Sequence, residues 1–193
     1  MSTAQTVVLV GNPRAGSRTS ALAGTVVEQV RAALPDLDLG DTPEVLELAE
    51  LVGITFTAEP ATAAAPHPDP WGAVRSARLL VVATPTYKGT YTGLLKIFLD
   101  TYQAGDLAGV VAVPVAIAGK PDHRDSVAAT LQLLLEELGA QVPSGAVSLL
   151  EPEVPDAETV VADWVGEHAG TLQRALTAAG VRAEQPVVTG GGR

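Results

Sequence analysis

Three short stretches of this chain are apolar at nearly every position: Thr6 to Val10 (TVVLV), Leu79 to Ala83 (LLVVA) and Val110 to Ile117 (VVAVPVAI). A strand with one wet face alternates apolar and polar residues, so unbroken runs of this kind are strands covered on both faces. Between them lie segments with helical spacing. Arg18 to Leu34 places Leu22, Val26, Val27, Val30 and Leu34 on one side and stops at Pro35, whose ring cannot continue a helix. Asp122 to Leu138 is amphipathic and closed by Gly139, and Asp156 to Ala179 is closed by Gly180, glycine being the usual residue just past a helix end. Further helices are expected from Asp69-Pro70 to Ala77 and from about Thr92 to Tyr102. Val45 to Leu48 and Ala146 to Leu149 supply two weaker strands, and Glu59 to Pro70 is an Ala/Pro loop. Pro114 inside an apolar strand implies a bulge or an edge-facing amide position.

Strands alternating with helices, and apolar on both faces, imply an α/β three-layer sandwich around a parallel sheet. Five strands in 193 residues suit the flavodoxin-like order 2-1-3-4-5, in which ligands bind beyond the carboxyl ends of the strands at the β1/β3 switch point. Residues 1–180 form that single domain, and the glycine-rich segment 181–193 reads as a flexible tail.

Composition excludes several classes. Twelve Lys+Arg against 22 Asp+Glu give a net charge of −10, which is wrong for a nucleic-acid or anionic-membrane binder. No cysteine is present, so thiolate chemistry and Cys-built metal sites are out, and a cytoplasmic location is expected. No apolar stretch approaches the roughly 18 residues of a membrane helix, and Met1 to Gln5 does not read as a signal peptide.

The loop after the first strand, Gly11-Asn12-Pro13-Arg14-Ala15-Gly16-Ser17-Arg18-Thr19, opens a helix. Helix N-termini offer orphan N–H groups and the positive end of a dipole, so this junction suits an anion. Arg14 and Arg18 add charge; Ser17 and Thr19 add hydroxyls. A G-x-x-x-x-G match to the P-loop fails, because Ser17 stands where its lysine belongs and Arg18 where its Mg²⁺-binding hydroxyl belongs. What remains is a metal-free site for one phosphate. The loop after the central strand, Thr84 to Gly93, is rich in turn residues. Tyr87, Tyr91 and Tyr102, the chain's only tyrosines, lie in it and its helix, and Lys88 and Lys96 lie there too. Gly89 permits close approach to a flat ligand, against which Tyr87 or Tyr91 packs. Tyr102 instead reads as core, and Leu95, Phe98 and Leu99 as core or subunit interface.

These motifs carry a family resemblance. G-N-P-R-A-G-S-R-T-S-A-L, T-P-T-Y-K-G-T-Y-T-G-L-L-K-I-F-L-D, and A-G-K-P-D-H followed by L-E-E-L-G-A together resemble NAD(P)H-dependent FMN reductases, most closely the sulfonate-utilisation subgroup. The resemblance spans roughly Thr6 to Gln141. It implies FMN and NADPH or NADH as cofactors, hydride transfer from nicotinamide to flavin, and a homodimer or homotetramer. It also implies delivery of reduced flavin to a partner monooxygenase. A quinone or azo reductase on the same fold, or a non-enzymatic FMN carrier, are the rival readings. By the resemblance, Asn12, Arg14, Ser17, Arg18 and Thr19 hold the FMN phosphate. Pro85, Thr86, Tyr87, Lys88 and Gly89 line the ring, and Gly119 and Lys120 approach from the third loop. Lys120 departs from the small residue usual there. No acid–base residue and no metal ligand is expected, since the cofactors carry the chemistry. Lys120 and Arg124 are expected to select the coenzyme 2′-phosphate, and His123 is a cap residue or a second coenzyme contact.

Overall fold

The computed structural model describes residues 5–51 and 67–183, with side chains to Gly180. Five parallel strands, β1 (Thr6–Val10), β2 (Glu44–Glu47), β3 (Leu79–Pro85), β4 (Val111–Ala118) and β5 (Val147–Leu150), form one sheet in the order β2-β1-β3-β4-β5. The six helices among the described residues are α1 (Arg18–Ala33), α2 (Leu48–Leu51), α3 (Pro70–Ser76), α4 (Gly93–Leu99), α5 (Pro121–Glu137) and α6 (Ala157–Ala183). None of the described helices is long and apolar enough to cross a membrane.

Alternation along the strands divides the core in two. Val8, Val10, Leu79, Val81, Val111 and Val113 face α1 and α6, packing against Leu22, Val26 and Leu172. Val7, Leu9, Leu80 and Val82 face the other way, onto Leu95, Leu99, Leu131 and Leu135 of α4 and α5. Both sides of β1, β3 and β4 are thereby dry, as the unbroken apolar runs require.

Pro114 sits in β4 without a bulge, since the pairing with β3 runs in step from Leu79↔Val111 to Pro85↔Ile117. The Val111 amide points toward the β3 side, donating to the Arg78 carbonyl, and that of Ala112 points the other way, to Gln141. Amides alternate along a strand, so position 114 faces the β5 side. There the ladder is open between the Gln141 bridge and the first β5 pair, Val115↔Val147. The missing N–H therefore costs no ladder bond.

Other expectations move by a few residues. Leu48 begins α2 instead of ending a strand, because β2 pairs β1 only as far as Val10↔Glu47. The helix after Thr92 stops at Leu99, with Thr101 and Tyr102 in a following turn. A 3-10 turn over Glu151–Asp156, not foreseen from the sequence, leads into α6. Gly180 does not end α6, which runs on to Ala183; one glycine costs a helix only about 1 kcal/mol. The remainder of the expected tail, 184–193, and residues 59–66 of the Ala/Pro loop lie outside the described residues.

Candidate functional site

All three candidate loops leave the carboxyl edge of the sheet, at β1, β3 and β4, and two are tied together at their base. The Gly11 amide donates to the Ala83 carbonyl at 2.7 Å, and the Thr92 hydroxyl donates to the Gly11 carbonyl at 2.5 Å. Thr92 also caps α4, accepting from the Leu95 amide, while its own amide donates to the Thr84 hydroxyl. A Cβ on Gly11 would lie 2.6 Å from Leu95 Cβ, so only glycine lets the first loop pass this close to α4.

Within the first loop, Asn12 is a scaffold. Its Oδ1 accepts from the Arg14 amide and its Nδ2 donates to the Thr19 hydroxyl, an Asx-type turn that fixes the loop. Thr19 is buried, so its hydroxyl serves the loop interior. Ser17 is the N-cap of α1 and accepts from the Ser20 amide. This leaves the Arg18 and Thr19 amides as helix-end donors without intrahelical partners. Arg14 is exposed and forms no ion pair with a described residue, whereas Arg18 pairs with Glu151 at 3.1 Å. The edge is thus less positive than its count of cations suggests.

The second loop is a tight hairpin. Tyr87 and Thr90 exchange backbone hydrogen bonds, with Lys88 at φ 55° and Gly89 at φ 87°, the two left-handed residues of a type I′ turn. The Thr90 and Thr130 hydroxyls join the hairpin to α5, and the Thr86 amide donates to the Ile117 carbonyl. Tyr87 is half exposed. Thr86 Oγ1 is buried without a hydrogen-bond partner among the described residues, an exception among buried hydroxyls. The backbone at Gly89 rests near the half-buried His123 ring, whose Cδ2 would lie 3.7 Å from a Cβ there.

The third loop brings Gly119 and Lys120 to the same edge. Both are exposed, and Lys120 is the N-cap position of α5 without a side-chain cap bond. Glu151 Oε2 would lie 3.9 Å from a Cβ on Gly119, so one carboxylate reaches from Arg18 toward the third loop. Arg124 approaches Glu153 at 3.5 Å and Asp125 at 3.6 Å. Pro85 ends β3 at the hairpin.

Four structurally important residues escaped the sequence reading: Thr84, Thr92, Glu47 and Glu151. A threonine one glycine ahead of the L-L-K-I-F-L run is a cap signal for Thr92; the others act across loops and leave no local signal. Leu95, Phe98, Leu99 and Tyr102 are all buried within the chain itself. A cleft of about 510 Å³ lies at the other end of the sheet, lined by Arg31, Leu37 and Asp41 among others, remote from these loops. No cluster of three or more His, Asp or Glu suited to a metal occurs among the described residues.

A doubly wound parallel sheet in the order β2-β1-β3-β4-β5, with an anion-ready helix start beside a tight hairpin at its carboxyl edge, defines a flavodoxin-like α/β protein. Residues 4–152 match the family described as NADPH-dependent FMN reductase, and the chain belongs to that family. It is 35% identical over 123 residues to the NADH-dependent FMN reductase SfnF of Pseudomonas putida, a match covering 63% of this chain and 64% of that protein. It is 32% identical over 146 residues to the FMN reductase (NADPH) of Escherichia coli, covering 70% and 67% respectively. The match thus spans under two thirds of the first relative's length. Among solved structures, an oxidoreductase from Corynebacterium diphtheriae superposes with a TM-score of 0.69 at 27% identity, covering 92% of this chain and 99% of that one.

Proposed function

We propose that the protein is an NAD(P)H-dependent FMN reductase that supplies reduced flavin to a partner monooxygenase. The observation that carries this reading is the bond between the two loops. Through Thr92 and Gly11, a cationic helix start is fastened beside a hairpin that presents an exposed tyrosine, a left-handed Lys88–Gly89 turn and the orphan Thr86 hydroxyl. FMN has the same two parts, a phosphate monoester and a flat ring. Membership of the family supports the assignment.

In this reading Arg14, Ser17, Arg18 and the helix-end amides at Arg18 and Thr19 hold the phosphate, and Asn12 and Thr19 shape the loop. Pro85, Thr86, Tyr87, Lys88 and Gly89 line the ring, the Thr86 hydroxyl finding there the partner it lacks among the described residues. Gly119 and Lys120 border the coenzyme side. FMN, when bound, supplies a two-electron acceptor for hydride from the nicotinamide, with a proton taken from solvent. The protein's work is to hold the rings in contact and exclude water, which needs no acid–base residue. In this reading the Lys88 and Gly89 backbone amides, the Thr90 amide being engaged with the Tyr87 carbonyl, stabilise negative charge developing on the ring edge.

The test is an absorbance titration with FMN, followed by NADPH oxidation under argon with free FMN or a quinone as acceptor. FMN is expected to bind and to be the preferred acceptor. Arg14→Ala is expected to raise the Kd for FMN about tenfold, the loss of one charge-assisted contact, and to leave riboflavin binding little changed. Absence of FMN binding at millimolar concentration overturns the reading, and preference for the quinone reassigns the acceptor.

A further inference from the structure

The first loop already contains an anion. Glu47 ends β2, paired in register with Val10, the last residue before the loop. Its Oε1 accepts from the Gly16 amide at 3.3 Å and from the Ser20 hydroxyl at 2.7 Å. Its Oε2 is buried and has no hydrogen-bond partner among the described residues. Gly16 immediately precedes Ser17, the N-cap, and Ser20 lies one helical turn beyond it, so the carboxylate sits on donors adjacent to those that the functional reading assigns to a phosphate. Helix-end dipole and amides favour negative charge there, which explains how a half-satisfied carboxylate is tolerated. Two anions at one helix start repel each other.

We propose that the Glu47 carboxylate is a built-in competitor of the phosphate group, weakening the binding of phosphate monoesters at this loop and keeping FMN exchangeable. The proposal rests on the FMN reading above and adds to it the regulation of flavin affinity at that site. An exchangeable flavin is what a reductase that passes reduced flavin onward requires. A merely structural Glu47 would brace the loop through Gly16 and Ser20. A glutamine does that equally well, because its Oε1 accepts the same two hydrogen bonds. The substitution removes the charge and also turns the Oε2 acceptor into an N–H donor, so Glu47→Ala, which is neutral and brings no donor, is measured beside it.

The experiment measures Kd for FMN and for riboflavin, which lacks the phosphate, by calorimetry at low salt. The proteins are the wild type, Glu47→Gln, Glu47→Ala and Glu47→Asp. Glu47→Gln is expected to bind FMN about tenfold more tightly, the order expected for removing a like charge at a partly screened site. Riboflavin affinity should be unchanged, so the ratio of the two constants shifts about tenfold. Glu47→Asp, which keeps the charge, should stay near the wild-type ratio, and the gain in Glu47→Gln should shrink in high salt. Riboflavin binding and the circular dichroism spectrum report folding; Glu47→Ala, the second neutral variant, is expected to shift in the same direction and decides the matter if Glu47→Gln fails these. An unchanged or weakened FMN affinity in a folded neutral variant, with wild type binding FMN, overturns the competitor role and leaves the FMN reading standing. No FMN binding by any of the folded proteins removes both.

Discussion

Tyr102 packs in the core, the place the sequence reading gives it, and shows what one buried hydroxyl does there. It is grouped by chain position with two loop tyrosines, yet it is 7% exposed, edge-on to Phe98, and its hydroxyl donates to the Trp71 carbonyl at 3.1 Å. Burial raises its pKa above the ordinary value. The folded state thus favours neutral phenol, so its stabilising effect is complete below the unfolded pKa of about 10 and is lost as pH rises beyond it. Tyr102→Phe is expected to cost about 1 kcal/mol at neutral pH, for one lost hydrogen bond. The gap between the two proteins should narrow above pH ~10, as followed by urea unfolding at several pH values. A gap independent of pH would show that the hydroxyl does not titrate with folding. At the end of α4, the Asp100 carboxylate raises the pKa of Lys96 through a hydrogen bond, but a solvent-screened surface i,i+4 pair with lysine first adds little to stability.

At the scale of elements, the site depends on how α4 is capped. Thr92 accepts from Leu95 within the helix and donates to Gly11 across the sheet edge, so one hydroxyl sets both the start of α4 and the spacing between two loops. Thr92→Val keeps the shape and removes both bonds. Its expected cost is about 1–2 kcal/mol, the usual range for a lost N-cap. Flavin affinity should fall as well, while Thr92→Ser should retain most of both. Equal urea midpoints for Thr92→Val and wild type would show that the cap is dispensable. The length of α4 was not legible, because nothing in the sequence distinguishes the last helical turn from the turn at Thr101 and Tyr102. Pro114 gave one of its two expected outcomes for a non-local reason: only the spacing of β5 against Gln141 decides whether an amide is needed there.

Charge belongs to the whole molecule. A net −10 opposes two anionic ligands, so local cations must prevail within the screening distance, about 8 Å at physiological salt. The fold brings Arg14, Arg18, Lys88, Lys120 and Arg124 to one edge but also engages Arg18 with Glu151 and Arg124 with Glu153. Lys88 and Lys120 are exposed and, like Arg14, pair with no described carboxylate. The double variant Lys120→Ala/Arg124→Ala is expected to lower the ratio of kcat/KM for NADPH over NADH about tenfold, if these two carry the 2′-phosphate contact. An unchanged ratio would move coenzyme selection elsewhere.

Local pattern was enough to determine the strands, the two-sided burial of the central three, the parallel order and the three loops of the proposed site. Apolar runs, helix caps and glycine positions each act within a few residues, and they agree with one another here. Tertiary structure alone decided which polar groups remain free for a ligand. Asn12 and Thr19 satisfy each other, Glu151 claims Arg18, and Glu47 reaches the first loop from a strand 31 residues away. Hydrogen bonds and charges act through space, and their partners are set by the packing of distant segments, which no local pattern records.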